Sequence, residues 1–415
     1  MWSKGLVACV FLVAAFSGCL ENGRESAAPS SLEAQPTISI AGASVVGQEP
    51  LFWKGSELGE GDNETWIIDV TIPEGYWETH RGGLDVVLHV DPRDYVSYEF
   101  VLTKENSTEE WEGDGWMDYV VVVEKPTSGR YHIDVAATYG MASYQAEAQI
   151  DAVPVETGPA RELLPNLVTM VPTELTFSNY GCTWVPVVYE CIPPVHTTLG
   201  VRGCTMYEYV EEQTKRCLRF SNRIGNIGEG PFEVQLKDQG PLTEERAMLQ
   251  KGQWVQRIWS SDGSIKEVDV GEAAYHVTHG HFHYQGMAHY QLYKYDAAKH
   301  ERGASVSEGR KVGFCFLDMG LVALGLPHTG MPTDFKSGCG LTPNWYDMYW
   351  YSLDEQYIDV TNVADGTYEL VSTANFLKNA KESDHEDNSA SVVFRMTGNA
   401  IKVLKDEPPS QTAYR

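Results

Sequence analysis

Short strand-like runs rich in valine, isoleucine, threonine and aromatic residues recur along this chain, and they restrict it to β-structure. Examples are residues 65–72, 84–90 and 119–123, and residues 144–150 alternate between apolar and polar side chains. Such runs are typical of strands with one buried face, and turn-forming residues separate them at short intervals. The pattern predicts an all-β fold of antiparallel β-sandwiches, with one short helix at residues 243–250.

The length predicts two domains. A chain of 415 residues exceeds the size at which a single hydrophobic core usually stops growing. Two prolines and a glycine mark residues 153–163 as the linker. The predicted parts are an accessory β-sandwich at 37–152, a second sandwich with long irregular loops at 164–404, and a frayed tail at 405–415.

The first residues predict export. Lys4 precedes an apolar run at residues 5–16, which is too short to span a membrane comfortably and is typical of a signal peptide at 1–18. The following Ser-Gly-Cys19 resembles a bacterial or archaeal lipoprotein signal, although Phe16 stands where leucine is usual. We therefore expect a polar tether at 19–36 and a cell-surface lipoprotein anchored at Cys19, or otherwise a secreted protein.

The acidic charge is concentrated in the first part of the chain. The formal net charge is −27, and residues 19–160 hold 7 basic against 26 acidic residues. This charge repels nucleic acids and anionic membranes and attracts cationic partners. We expect no nucleic-acid partner and no membrane contact beyond a lipid at Cys19. Solubility or a salty habitat is an equally open explanation of the charge.

Six cysteines lie between residues 182 and 339, and export makes three disulfides the expectation. Six cysteines allow 15 pairings, so connectivity is not fixed. Loop length favours Cys182–Cys191 and Cys204–Cys217, which leaves Cys315–Cys339.

Three histidines alternate along one predicted strand. His279, His281 and His283 lie within YHVTHGHFHY at residues 275–284, in a chain with only 12 histidines. Residues i, i+2 and i+4 of a strand line one face, where three imidazoles can bind copper or zinc.

Two downstream segments complete a family resemblance. EGRKVGFCFLD at residues 308–318 and CGLTPNWYDMY at 339–349, together with the histidines, resemble the catalytic domain of lysyl oxidases. These are copper amine oxidases with a lysine tyrosylquinone cofactor. Residues 164–168, 218–228 and 357–370 resemble further segments of that family, in the same order. SGRYHIDV at 128–135 and GMASYQAE at 140–147 resemble the pre-peptidase C-terminal family of accessory domains.

The lysyl oxidase resemblance implies roles for individual residues. His279, His281 and His283 match the copper ligands, whereas Lys311 and Tyr346 match the two halves of the quinone cross-link. His289 matches the proposed general base, with a spacing from the ligands one residue shorter. Independently of the resemblance, Asp347, Tyr349 and His328 are candidate helpers of His289, and a structural role is the favoured alternative for each. Cysteines of animal members are replaced by Thr278 and Trp345, so their disulfide pattern does not transfer.

A calcium site is also implied near the C-terminus. Residues 381–388 (KESDHEDN) offer closely spaced oxygen ligands, which Ca²⁺ prefers. The family pattern maps its ligands onto Glu382, Asp384, Asp387, Asn388, Asn166 and the carbonyl of Leu167. A solvated acidic turn is the alternative interpretation.

The resemblance implies copper-dependent oxidative deamination of primary amines, such as lysine-containing peptides. The products would be an aldehyde, NH₃ and H₂O₂, with uptake of O₂. Two alternatives remain open from the residues alone: a zinc hydrolase using the three histidines, and a non-enzymatic copper-binding surface protein. The sequence leaves the natural amine unidentified.

Overall fold

The computed structural model describes most of the chain between residues 34 and 404. The described ranges are 34–40, 42–90, 96–113, 118–155, 158–178, 216–237, 251–276, 281–309, 313–323, 338–351, 353 and 356–404. They form 28 strands and one four-residue helix, so the all-β prediction is confirmed. The helix predicted at 243–250, the signal peptide, Cys19 and the tail lie outside the described residues.

Ten strands and the helix build the first part, called here the accessory sandwich (residues 37–154). They are β1 (Thr37–Ile40), β2 (Ala43–Val46), β3 (Leu51–Gly59), β4 (Asn63–Thr71), α1 (Tyr76–Thr79), β5 (His80–Val90), β6 (Ser97–Lys104), β7 (Glu110–Glu112), β8 (Asp118–Glu124), β9 (Gly129–Tyr139) and β10 (Met141–Pro154). Two antiparallel sheets result, with strand orders β2-β1-β4-β9-β6-β7 and β3-β10-β5-β8.

Alternation of side chains explains how these two sheets enclose one core. Leu84, Val86 and Leu88 of β5 are fully buried in a cluster that includes Ile68 of β4 and Ile133 of β9. Burying one apolar face of each sheet stabilises the pair by about 25 cal/mol for each Å² of apolar surface removed from water. The intervening residues of β5 and β8 lie on the opposite face, away from this core.

Eighteen strands build the remaining part, called here the C-terminal region (residues 162–403). They are β11 (Glu162–Leu163), β12 (Leu167–Thr169), β13 (Thr173–Ser178), β14 (Cys217–Asn226), β15 (Phe232–Leu236), β16 (Lys251–Ser260), β17 (Ile265–His276), β18 (His281–Gln285), β19 (Ala288–Asp296), β20 (Glu301–Glu308), β21 (Gly313–Phe314), β22 (Gly320–Leu321), β23 (Gly338–Leu341), β24 (Trp345–Tyr349), β25 (Tyr357–Asp359), β26 (Gly366–Ala374), β27 (Ser389–Thr397) and β28 (Ala400–Val403).

Three sheets organise these strands around a second core. Their orders are β21-β18-β17-β16-β15-β23, β12-β14-β24-β22 and β20-β19-β26-β27-β28. Phe220, Phe232, Tyr290 and Phe316 are fully buried where the sheets meet. The rings of Phe220 and Tyr290 meet edge to face at a centroid distance of 4.7 Å, which is a preferred geometry for aromatic pairs.

The two parts share no described strand pairing, but residues 35–415 form one compact unit. The predicted domain boundaries therefore stay predictions. The ends of the predicted linker are extended: β10 reaches Pro154, and β11 pairs with β16. Within the described ranges, no helix has the length and apolar character needed to cross a bilayer.

Candidate active site

The histidine motif lies on a strand, as its alternation predicts. β18 pairs antiparallel with β17, with His281 opposite His276 and His283 opposite Ala274. Strand periodicity places positions 281 and 283 on the same face of the sheet. His279 lies outside the described residues.

The segment after Lys311 pairs with the histidine strand. Gly313 lies opposite Gln285, and Phe314 lies opposite Tyr284. Lys311 itself lies outside the described residues, two positions before Gly313. From Gly313 onward, the segment that follows this lysine thus runs beside the end of β18.

Tyr346 is buried in the middle of a different sheet. It belongs to β24, where it pairs with Gly225 of β14 and Gly320 of β22. Only 1% of its surface is exposed, and its cluster includes Met319 and Met348. The guanidinium of Arg223 lies 5.4 Å from the ring centroid, within range of a cation–π interaction. This environment shields the phenol from bulk water.

A neighbouring tyrosine connects the two sheets. Tyr349 Oη accepts a hydrogen bond from the Cys315 amide and lies within hydrogen-bond distance of the Cys315 carbonyl, at 3.1 Å in each case. Burial, and then the charge of Asp347, raise the pKa of Tyr349 well above its usual range, so it stays a neutral donor. Since Cys315 directly follows β21, this contact joins the Lys311 side of the site to the Tyr346 strand. The sequence identified Tyr349 only as a possible helper of His289, with a structural role as the alternative.

The predicted disulfide Cys315–Cys339 is confirmed. It closes a separation of 24 residues with a Cα–Cα distance of 5.0 Å, within the usual range. It ties the end of β21 to β23 and so fixes the segment that Tyr349 contacts. Cys217 is buried and forms no disulfide with a described residue. The other two predicted pairs involve Cys182, Cys191 and Cys204, which lie outside the described ranges, and they stay predictions.

His289 is accessible, as a base that meets a substrate must be. Its side chain on β19 is 23% exposed, and its Nε2 lies 3.6 Å from the carboxylate of Glu308. The imidazole stacks on Phe376 at a centroid distance of 4.7 Å. These contacts orient the ring, while its catalytic role stays a prediction.

Four of the predicted calcium ligands, Glu382, Asn388, Asn166 and Asp387, fall into two hydrogen-bonded groups, whereas Asp384 is exposed and accepts a bond from the Glu386 amide at 2.8 Å. Glu382 accepts bonds from Asn375 Nδ2 at 2.6 Å, Asn388 Nδ2 at 2.8 Å and the Leu167 amide at 2.8 Å. Asn166 Nδ2 donates to Asp387 at 2.9 Å. Both groups connect the start of the C-terminal region to the segment before β27.

Three buried oxygens near these groups accept no hydrogen bond: Oδ1 of Asn166, Oδ1 of Asp387 and Oδ1 of Asn388. Burial raises the pKa of both Glu382 and Asp387. Unpaired oxygen acceptors next to desolvated carboxyls are compatible with a cation. Among the described residues, however, no three His, Cys, Asp or Glu side chains are grouped closely enough to hold a metal.

One contact near Tyr346 was not predicted from the sequence. Asp118 of the accessory sandwich is fully buried and accepts a hydrogen bond from the amide of Leu321, which lies beside the Tyr346 strand. A single aspartate at the start of a predicted strand gives no signal of such a contact, because the contact joins positions about 200 residues apart.

Part of the amino-acid sequence is similar to known proteins. The lysyl oxidase family model matches residues 209–405. Protein-lysine 6-oxidase of Sus scrofa is 33% identical over 194 residues, which cover 46% of this chain and 72% of that protein. The chain belongs to the lysyl oxidase family.

Other relatives of this lysyl oxidase family member are longer. Protein-lysine 6-oxidase of Gallus gallus is 33% identical over 191 residues, covering 46% of this chain and 42% of that protein. Lysyl oxidase homolog 3B of Danio rerio is 27% identical over 194 residues, covering 46% of this chain and 19% of that protein. The chain thus spans less than half the length of these two relatives. The match shows the family to which the chain belongs. It does not by itself show the activity of the whole protein.

Proposed function

We propose that this protein is a copper-dependent amine oxidase that acts on primary amines such as the lysine side chains of peptides. The observation that carries the proposal is the connection of β18, β21 and β24. Strand pairing brings the histidine strand beside the segment after Lys311, and Tyr349 joins that segment to the Tyr346 strand.

The histidines suit copper as a donor set. His279, His281 and His283 would hold Cu(II), because imidazole nitrogens suit it and it leads the divalent affinity series at such sites. When bound, copper and the lysine tyrosylquinone would supply the oxidation chemistry, by which the amine, O₂ and water give an aldehyde, NH₃ and H₂O₂. The quinone would derive from Tyr346 and Lys311.

The protein's own side chains would move the protons of the reaction. His289 is proposed to remove the proton from the α-carbon of the bound amine through Nε2, and general base catalysis typically contributes about 10²–10⁴-fold. Lys311 must be neutral to join the ring, which a sheltered position would favour.

The calcium proposal rests on the orphaned oxygens. Glu382, Asp384, Asp387, Asn388, Asn166 and the Leu167 carbonyl would supply its ligands. The unpaired acceptors of Asn166, Asp387 and Asn388 support a cation there, since each is buried without a hydrogen-bond donor. Calcium addition should then raise the unfolding temperature, and Asp387→Asn should reduce that rise.

Export is a further part of the proposal. The segment before residue 34 would direct the chain across a membrane, and Cys19 would carry a lipid or the protein would be secreted. The disulfide Cys315–Cys339 supports an oxidising compartment.

One experiment tests the activity against both alternatives. The full-length protein is loaded with copper, digested and analysed by mass spectrometry for a Lys311–Tyr346 cross-linked peptide, while peroxide release is measured with a lysine-containing peptide. Lys311→Arg and Tyr346→Phe should abolish both signals and leave copper bound. Lys294→Arg and Tyr293→Phe on β19 are matched controls that should change neither.

The alternatives predict different results. A zinc hydrolase or a copper-binding surface protein leaves Lys311 unmodified and releases no peroxide. Retained turnover in Tyr346→Phe would also refute the assignment.

A further inference from the structure

An aromatic ring supports the proposed base. Phe376 follows the end of β26, and its ring stacks on the imidazole of His289 at a centroid distance of 4.7 Å and an interplanar angle of 26°. The carboxylate of Glu308 lies 3.6 Å from His289 Nε2, but the Glu308 side chain is 73% exposed and its charge is screened by water. The stacked ring therefore restricts the tilt of the imidazole more firmly than this ion pair does.

Asn375 fixes the backbone that carries Phe376. It is 1% exposed, and its φ of +42° lies in the left-handed region, which asparagine adopts more readily than most residues. Its Nδ2 donates to the Ala380 carbonyl at 2.9 Å and to Glu382 Oε1 at 2.6 Å, and its Oδ1 accepts the Ala380 amide hydrogen at 3.2 Å. Displacing a buried side chain with these bonds would leave polar groups unpaired, so the position of Asn375 is fixed.

The same loop packs on the turn between the histidine strand and the strand of His289. The amide of Asn375 donates to the Met287 carbonyl at 2.9 Å. The side chain of Leu377 lies over Gly286, where a Cβ would come within 2.6 Å of Leu377 Cδ1. Positions 286 and 287 separate β18 from β19. The loop thus contacts both the proposed base and the turn that leads to it from the proposed copper ligands.

We propose that Phe376 is a positioning residue for His289 and that Asn375 holds it in place. This inference rests on the proposed function, in which His289 Nε2 accepts the proton from the α-carbon of the bound amine. A base must come within about 2.6–3.2 Å of the atom that gives up the proton. A misplacement of about 1 Å can cost about 10²-fold in rate, so a ring that fixes the imidazole plane speeds proton removal.

The isotope effect on proton removal tests the inference. Copper-loaded, full-length protein is assayed for peroxide release with a lysine-containing peptide, and with the same peptide deuterated on the carbon that bears the reacting amine. We expect Phe376→Leu to lower kcat/KM about 10-fold, which is part of the roughly 10²–10⁴-fold that a general base contributes. The deuterium isotope effect on kcat/KM should rise, because proton removal becomes slower relative to the other steps. Phe376→Tyr keeps the ring and should restore both values.

A second background shows whether the ring acts through the imidazole. His289→Ala should by itself lower kcat/KM about 10²-fold or more. Adding Phe376→Leu to His289→Ala should then cause no further loss, because no imidazole remains for the ring to hold. A further loss of about 10-fold in that background would overturn the positioning role.

Two more variants separate positioning from stability. Phe394→Leu is the matched control, because it removes a buried ring of the same sheet, one that packs against Tyr368. Its isotope effect should equal that of the wild type even where its unfolding temperature falls. Asn375→Gly keeps a left-handed backbone accessible and removes the side-chain bonds, so it should raise the isotope effect as Phe376→Leu does. Copper content should match the wild type in each of these variants.

The remaining outcomes distinguish the two proposals. A wild type that releases peroxide, with an unchanged isotope effect in Phe376→Leu, overturns the inference and leaves the proposed function standing. An unchanged isotope effect in Asn375→Gly overturns the role of Asn375. A wild type that releases no peroxide overturns the proposed function and the inference with it. If Asn375→Gly does not fold, Asn375→Asp decides, because it still accepts the Ala380 amide hydrogen and loses both donated bonds.

Discussion

The accessory sandwich and the C-terminal region use β-structure in different ways. In the accessory sandwich, β5 pairs with β10 along its whole length, and apolar residues alternate into one core. In the C-terminal region, β21 and β22 have two residues each, and they lie next to the histidine strand and the Tyr346 strand.

The difference shows where function can be built. Long regular strands satisfy their backbone within the sheet and leave few positions free for chemistry, whereas short strands let loops deliver side chains to one place. The accessory sandwich departs from this rule at Asp118, whose buried carboxylate contacts the short strand β22.

The largest expected effect is that of removing one histidine from the proposed copper site. His281→Ala should lower copper affinity and peroxide release by about 100-fold or more, because a three-nitrogen donor set loses one ligand. Equilibrium dialysis with copper and a peroxide assay measure the two effects. His132→Ala, on β9 of the accessory sandwich, is the control and should change neither. Equal losses in both variants would show that copper binds without preference for the histidine strand.

Sequence patterns anticipated the regular parts better than the site. The run at 65–72 lies largely within β4 and the run at 144–150 lies within β10, because β-branched composition in the first and alternation in the second favour a strand locally. The disulfide Cys315–Cys339 and the strand character of 281–285 were also anticipated.

Contacts between distant segments were not anticipated. The Tyr349–Cys315 bonds and the Asp118–Leu321 bond depend on how sheets pack, and no local pattern encodes that. The roles of the copper ligands and of the cross-linked residues were predicted from the family resemblance. The described residues do not test these roles, so they stay proposals.

The second prediction uses the disulfide. Cys315→Ala with Cys339→Ala should reduce the free energy of unfolding by about 3 kcal/mol, since the bond closes a loop of 24 residues. The accessory residues 37–152 contain no cysteine. Hydrogen exchange should therefore speed up at amides of β14 and β24 and stay unchanged in β4 and β9. Equal acceleration in both regions would show that they unfold as one unit, contrary to the predicted domains.

The third prediction compares two buried carboxyls. Burial, and then the charges of Asp151 and Glu147, raise the pKa of Asp85 in the accessory sandwich. Burial also raises the pKa of Glu382, but bonds from Asn388, Asn375 and the Leu167 amide oppose that rise. A carboxyl with a raised pKa in the folded state costs stability as the pH rises from its unfolded pKa through its folded one.

Asp85→Asn should therefore stabilise the protein at neutral and higher pH, by on the order of 1–3 kcal/mol. The gain should vanish below about pH 4, where the carboxyl is protonated in both states. Glu382→Gln should instead destabilise, because its amide offers a donor to groups that already donate. Urea unfolding between pH 3.5 and 8 measures both variants. A destabilising Asp85→Asn at pH 8 would contradict this account of the accessory carboxyl.

The smallest expected effect concerns surface charge. Residues 19–160 carry 26 acidic and 7 basic residues, so their field should attract lysine-rich peptides at low ionic strength. We expect kcat/KM for a polylysine-like peptide to fall several-fold between 0.05 and 0.5 M salt, because the Debye length shrinks from about 14 to about 4 Å. The control is a small primary amine that carries no other charged group, and its kcat/KM should change much less with salt. A salt response equal for both amines would assign the acidic surface to solubility and leave substrate attraction without support.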